Sequence, residues 1–165
     1  MKLDSTDLRI LAELQADASL SNVALARRVH LSPSPCLSRV KALEAAGVIT
    51  RYVALANAAA LGLGLNVFIN ISLRTQSKEA LAEFERHIAQ HEEVMECYLM
   101  SGDCDYLIRV AVPDMQALER FILDRLSPIP GIEKIRSSFT LKQVRYKTAL
   151  PLTAHAERAR ADALG

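Results

Sequence analysis

The sequence predicts an α+β protein with two small domains, and two patterns of apolar residues carry that prediction. Up to Gly47, apolar residues recur at the three- and four-residue spacing of amphipathic helices. From Asn66 onward, segments in which apolar and polar residues alternate, as they do in strands, stand between segments of helical spacing. A length of 165 residues allows two small domains, and a hydrophobic fraction of 50% excludes wholesale disorder.

The composition also narrows the setting in which the protein works. Three scattered cysteines, Cys36, Cys97 and Cys104, are too few for a disulfide framework and favour a reducing interior. The longest weakly polar run, Ala58 to Leu65, is far below the roughly 18 residues of a membrane span, and acidic residues interrupt any signal-peptide pattern. We therefore expect a cytoplasmic protein without a membrane partner.

Three short helices are predicted in the first 47 residues. The first begins at Asp4 or Ser5, the second runs from Asn22 to about Val29, and Ser32 caps the third, which ends before Gly47. The β-prone run Val48 to Leu55 follows as a strand or small wing. A tight turn before the third helix makes this a winged helix-turn-helix.

The third predicted helix has an outer side of small, hydroxyl and basic residues. Its outer side and flanks carry Ser34, Pro35, Ser38, Arg39 and Lys41. Residues 20–52 have a local net charge of +4, whereas residues 1–19 have −2. Such a side permits close approach to a DNA backbone and bonding to phosphates and base edges. The alternative is a generic three-helix bundle whose outer side is only solvated.

The second half of the sequence predicts a ferredoxin-like β-α-β-β-α-β domain. Strands are expected at 67–73, 94–100, 106–112 and 132–146, with helices at 78–90 and from Asp114 to Leu126. Two helices cover one face of such a sheet, yet the strands carry apolar residues on both faces. A second copy is the natural cover, so we expect a homodimer.

Composition shifts divide the chain into four parts. The glycine-punctuated, uncharged stretch at 56–65 is typical of a hinge. The predicted parts are a winged helix-turn-helix domain at 1–55, the hinge at 56–65, the ferredoxin-like domain at 66–147 and a tail of no assigned role at 148–165.

One loop carries residues suited to binding a free amino acid. In Ser101-Gly102-Asp103-Cys104-Asp105-Tyr106, the glycine-containing backbone can donate N–H groups to a carboxylate, and an aspartate can balance an ammonium. Ser138 and Thr140, on one face of the last strand, add hydroxyls. The alternative is a tight turn in which the two aspartates bond only the backbone.

An enzymatic interpretation has less support. His87 and His91 stand one helical turn apart and Cys97 and Cys104 follow, but no closely spaced cysteine pair supports a metal site. No phosphate-binding glycine loop occurs either. We predict no enzyme, no metal and no cofactor.

Two sequence motifs, one in each predicted domain, resemble those of the leucine-responsive regulatory protein/asparagine operon regulator (Lrp/AsnC) family. The first runs from Leu31 to Lys41 with Leu43-Glu44 and Gly47-Val48-Ile49, and the second is the Gly102-Asp103 and Asp105-Tyr106-Leu107 turn. Within the family, residues 96–103 and 137–152 most resemble activators of the branched-chain keto-acid dehydrogenase operon.

The resemblance implies an amino-acid-responsive transcriptional regulator of amino-acid metabolism genes. It implies double-stranded DNA as a partner, contacted by Ser34, Pro35, Ser38, Arg39 and Lys41. It also implies dimers that assemble into octamers, with the amino acid bound between effector domains. The implied effector-site residues are Met100, Ser101, Gly102, Asp103, Asp105, Met115, Ser138 and Thr140. Met100 and Met115 suit leucine or another apolar amino acid. An alternative function is an amino-acid-sensing module that acts on an enzyme without binding DNA.

Overall fold

The computed structural model describes residues 1–152, which form two compact units. One unit comprises residues 1–55 and the segment that begins at Arg145, and the other comprises residues 56–144. Most of the predicted tail, residues 153–165, lies outside the described residues. Among the helices of residues 1–152, none combines the length and the apolar character of a membrane span.

The N-terminal unit is built from three helices. They are α1 (Ser5–Ala16), α2 (Asn22–Arg28) and α3 (Pro33–Ala45). Apolar residues from all three helices fill one core, which also receives Leu152 from the C-terminal segment; its buried members are Ile10, Leu11, Leu25, Ala26, Val29, Cys36 and Leu43. The predicted three-helix arrangement is confirmed.

Asp4 is the N-cap of the first helix, as the sequence predicts. The Asp4 carboxylate accepts the backbone N–H groups of Thr6 and Asp7, both at 2.8 Å. In return the Asp7 carboxylate accepts the N–H of Asp4 at 3.0 Å. This reciprocal capping box satisfies N–H groups that the helix itself leaves without partners.

The start of α3 differs in detail from the prediction. Ser32 occupies the capping position, but its hydroxyl makes no capping hydrogen bond. A capping side chain bonds the second or third N–H of its helix, and the third residue here is Pro35, which has none. The proline-rich first turn therefore relies on fixed φ angles instead of side-chain capping.

The C-terminal unit has the predicted ferredoxin-like order. Its elements are β1 (Leu65–Leu73), α4 (Lys78–Ile88), β2 (Val94–Leu99), β3 (Tyr106–Val112), α5 (Met115–Arg120), which continues as a π-helical turn at Phe121–Leu126, and β4 (Ile132–Phe139). The strands form one antiparallel sheet in the order β2-β3-β1-β4.

One face of this sheet is buried and the other is open. Along β3, Tyr106, Ile108, Val110 and Val112 are buried against the helices, whereas the residues between them are half-buried. The intervening residues of β1 and β3, among them Phe68, face the side away from the helices. We call this side the open face.

One predicted strand is too long, and the segment predicted as a strand or small wing forms no strand. The last strand ends at Phe139 instead of Tyr146, because its partner β1 begins at Leu65 and the Thr140 N–H makes the last bond, to Asn66 at 3.4 Å. The run Val48 to Leu55 pairs with no strand in the described part of the chain. Strand-forming composition does not form a ladder without a partner.

Candidate DNA-binding surface and effector site

The exposed side of α3 carries four of the five predicted DNA-contacting residues. Ser34, Pro35, Ser38 and Lys41 are exposed, whereas Cys36 and Leu43 are fully buried on the opposite side. Burial raises the pKa of the Cys36 thiol. The helix therefore has an apolar inner side and a small, hydroxyl and basic outer side.

The fifth predicted residue, Arg39, lies against α1. Its Nη1 donates to Asp4 Oδ2 at 2.7 Å and to Asp7 Oδ1 at 2.8 Å. The hydrogen bond to Asp4 and then that to Asp7 raise the pKa of Arg39. The guanidinium is thus engaged within its own unit.

One contact and one turn conformation connect α2 to α3. Asn22 Nδ2 donates to the carbonyl of Pro33 at 2.8 Å, which joins the start of α2 to the start of α3. His30 takes a left-handed conformation (φ 59°) in the turn between these helices. The sequence predicts the tight turn before the third helix, but it does not reveal which carbonyl Asn22 meets.

The chain leaves α3 through a second left-handed residue. Gly47 has φ 68°, and the N–H of Val48 bonds the carbonyl of Leu43 at 2.9 Å. Tyr52 then donates its hydroxyl to the Glu44 carboxylate at 2.8 Å. Burial, followed by this contact with Glu44, raises the pKa of Tyr52 to about 12. The residues after the helix are therefore tied to its last turn.

The loop predicted to bind an amino acid joins β2 to β3. Met100 N–H bonds the Asp105 carbonyl at 2.8 Å, which closes the loop around the exposed residues Ser101, Gly102 and Asp103. Gly102 has φ 136°, a backbone conformation that residues other than glycine rarely adopt. The loop geometry therefore requires the glycine.

Asp105 anchors this loop to the neighbouring strand. Its Oδ2 accepts the backbone N–H of Leu73 at 2.6 Å, and its own N–H donates to the Ile71 carbonyl at 3.0 Å. This is the backbone-bonding role that the alternative reading predicted for an aspartate of the loop. The adjacent Cys104 thiol contacts Asn70 Oδ1 at 3.3 Å.

The eight predicted effector-site residues do not meet within one copy of the chain. Met100 to Asp105 lie where β3 starts, whereas Met115 follows directly after β3 ends. Ser138 pairs with Phe68, which also pairs with Arg109 in the middle of β3, whereas the Thr140 N–H bonds the Asn66 carbonyl near the second end of the sheet. Seven residues at about 3.3 Å per residue separate the ends by roughly 20 Å.

Two surface grooves lie away from these residues. A groove of about 530 Å³ in the N-terminal unit is lined by α1, residues 48–55 and residues 148–152. A groove of about 300 Å³ lies between α4 and β2 and includes Glu85, Cys97 and Tyr106. Neither groove is lined by a predicted DNA-contacting or effector-site residue.

The histidines and cysteines do not assemble a metal site in the part of the chain that the structure describes. The His91 ring packs edge-on against Phe121, with ring centroids 5.8 Å apart. Burial lowers the pKa of His91, whereas Cys97 is exposed. The His91 ring therefore packs against an aromatic side chain of the domain core.

Comparison with known proteins assigns both halves of the chain. The family described as winged helix-turn-helix DNA-binding matches residues 3–50, and the Lrp/AsnC ligand binding domain matches residues 66–150. The leucine-responsive regulatory protein of Escherichia coli K12 is 40% identical over 148 residues, which is 90% of each chain.

Solved structures agree with this assignment. A transcriptional regulator from Neisseria meningitidis, solved as a complex with L-Met, has 42% identity and a TM-score of 0.88, covering 92% of this chain and 98% of that one. An AsnC family transcriptional regulator from Agrobacterium tumefaciens has 39% identity and a TM-score of 0.87, covering 92% and 99%. The chain therefore belongs to the Lrp/AsnC family of amino-acid-responsive, DNA-binding transcriptional regulators.

Proposed function

We propose that the outer side of α3 enters the major groove of duplex DNA, with Ser34, Pro35, Ser38 and Lys41 at the contact. The observation that carries this proposal is the division of α3 into a buried apolar side and an exposed side of small, hydroxyl and basic residues. Small side chains permit close approach, hydroxyls bond phosphates or bases, and Lys41 supplies a positive charge.

We further propose that two copies pack through their open faces. No helix of the described chain covers this face, on which Phe68 and Leu107 are half-buried and Tyr98 is half-exposed. Apolar side chains on a sheet face favour a cover, and a two-fold copy supplies one. Such a dimer presents two recognition helices to half-sites about one helical turn apart. Assembly of dimers into octamers is proposed from the family resemblance.

The effector site is proposed to form only between copies. The loop with Met100 and Asp105 lies at one end of the sheet, and Met115 and Thr140 lie toward the other, so a second copy must supply the missing half. The relative from N. meningitidis was solved with L-Met, and other relatives are leucine-responsive regulatory proteins. We propose leucine or a similar apolar amino acid, whose side chain the two exposed methionines suit.

The proposed setting follows from these roles. The protein acts in the cytoplasm on genes of amino-acid metabolism, requires no cofactor and catalyses no reaction. Its relatives are transcriptional regulators, which supports this proposal. Effector binding shifts the equilibrium between assemblies, with a coupling of about 1–3 kcal/mol as is typical of allosteric proteins.

A ligand screen tests the effector proposal. The melting temperature of the full chain is measured with each of the twenty amino acids, because a ligand that binds the native state raises it. We expect leucine or methionine to give the largest increase and to change the sedimentation coefficient. An increase with a charged amino acid alone would contradict the proposed apolar specificity.

A selection experiment tests the DNA proposal. The wild-type chain is used to enrich a duplex from a random-sequence pool, and this selected duplex is compared with a scrambled duplex of equal composition by fluorescence anisotropy. We expect tighter binding of the selected duplex and an affinity that falls as salt rises. Equal affinity for both duplexes would contradict sequence-specific binding.

A further inference from the structure

Arg39, Asp4 and Asp7 form a cluster in which each aspartate uses one carboxylate oxygen for the cap of α1 and the other for Arg39. Asp4 caps α1 with Oδ1 and accepts from Arg39 with Oδ2. Asp7 bonds the Asp4 N–H with Oδ2 and accepts from Arg39 with Oδ1. One nitrogen, Nη1, serves both carboxylates. The N-cap of α1 therefore sets the direction of the Arg39 guanidinium, which belongs to α3.

Burial makes this contact difficult to exchange for a DNA contact. The side chain of Asp7 is only 6% exposed, and Asp7 is the one charged residue buried in the described part of the chain. Moving Arg39 to a phosphate would leave a buried carboxylate without its cation, which is strongly unfavourable. It would also leave two carboxylates close to a negatively charged ligand.

The position of Arg39 in α3 links this contact to the outer side of the helix. Arg39 follows Ser38, so their side chains lie about 100° apart around the axis. Fixing Arg39 to α1 therefore fixes the rotation at which Ser38 and Lys41 face outward. The buried core holds the same helix from its other side through Cys36 and Leu43.

We infer that Arg39 is a positioning residue, which sets the orientation of the recognition helix through Asp4 and Asp7 and does not itself touch DNA. This inference rests on the proposed DNA contact by α3. It replaces the direct contact that the sequence suggested for Arg39. The two roles predict opposite effects of removing the aspartate charges.

The decisive variant is the double substitution Asp4→Asn with Asp7→Asn. Asparagine caps helices about as well as aspartate, so this variant removes the ion pair while retaining the cap. If Arg39 positions α3, the ratio of affinities for the selected and scrambled duplexes falls about tenfold, the cost of losing one base contact. If Arg39 contacts a phosphate, freeing it and removing two negative charges strengthens binding, which would overturn the inference.

Salt dependence supplies the second readout. Arg39→Ala should lower the same ratio by a similar factor and leave the slope of log affinity against log salt unchanged. Loss of a direct phosphate contact would reduce the magnitude of that slope by about 0.9. Combining all three substitutions should lower the ratio no further than either variant does, because both remove the same contact.

A stability control separates positioning from folding. Thermal melting is recorded for each variant, and binding is measured well below every melting temperature. If Arg39 only stabilises the N-terminal unit, the melting temperature falls while the affinity ratio stays at the wild-type value, and the inference fails. Should Arg39→Ala not fold, Arg39→Gln removes the charge while it keeps a hydrogen-bond donor, and the same slope and ratio then decide. Failure of the wild-type chain to prefer the selected duplex would instead refute the DNA proposal.

Discussion

The side-chain amide of Gln15 in α1 makes two hydrogen bonds with the backbone of Leu150. Its Oε1 accepts the Leu150 N–H at 2.6 Å, and its Nε2 donates to the Leu150 carbonyl at 3.3 Å. Leu152 then packs against the core of the three helices. The segment at 148–152, to which the sequence assigned no role, is therefore part of the N-terminal unit.

Replacing Gln15 should weaken the attachment of residues 148–152 and so destabilise the N-terminal unit. Gln15→Ala removes two exposed hydrogen bonds, so we expect the free energy of unfolding of the N-terminal unit to fall by about 1 kcal/mol. Urea denaturation followed by circular dichroism measures the change. Gln143→Ala, at an exposed position of the other unit, is the matched control and should have no effect. Equal stability of both variants would show that the contact contributes nothing.

The N-terminal unit should lose stability in acid through Asp4. The backbone hydrogen bond from Asp7, assisted by Arg39, holds the pKa of Asp4 below its ordinary value of 3.8. A lowered pKa stabilises the folded state above the unfolded pKa, and this contribution disappears as pH falls through the folded pKa. Melting temperatures of the full chain between pH 5 and about 2 measure the loss.

Asp4→Asn is the control for this acid sensitivity. Asparagine does not titrate, so the variant should lose less stability over the same pH interval than the wild-type chain. The comparison cancels the titration of all other carboxylates to first order. Parallel pH profiles for the two proteins would mean that Asp4 does not contribute.

Asp105 should have two separable roles. Asp105→Asn keeps an oxygen to accept the Leu73 N–H but removes the charge proposed to hold an ammonium. We expect this variant to melt near the wild-type temperature and to lose the melting increase that leucine or methionine produces. Asp105→Ala should lose both, because the Leu73 N–H also loses its acceptor.

Asp103 provides the matched comparison for Asp105. It is exposed in the same loop. Asp103→Asn should therefore reduce the ligand response less than Asp105→Asn does. A full ligand response in Asp105→Asn would remove Asp105 from the proposed effector site.

Local patterns allowed the main elements to be predicted. The capping residue Asp4 starts α1, and the alternation in β1 and β3 identifies two central strands that are buried on one side. Both signals depend on neighbours within a few residues, which a sequence displays directly.

Features that depend on distant residues could not be predicted. Arg39 meets Asp4 and Asp7, more than 30 positions earlier, and Gln15 meets Leu150. The end of β4 depends on where β1 begins, and the segment at 48–55, predicted as a strand or small wing, pairs with no strand in the described chain. The sequence shows the hydrogen-bonding groups but not which of them meet.

The central claim, that the outer side of α3 contacts DNA, is tested most directly by the salt dependence of binding. Affinity for the selected duplex is measured across a salt series for the wild-type chain, Lys41→Ala and Lys78→Ala, whose exposed lysine starts α4. We predict that Lys41→Ala reduces the magnitude of the log–log slope by about 0.9 and that Lys78→Ala leaves it unchanged. A Lys41→Ala variant with wild-type affinity and slope would contradict the claim.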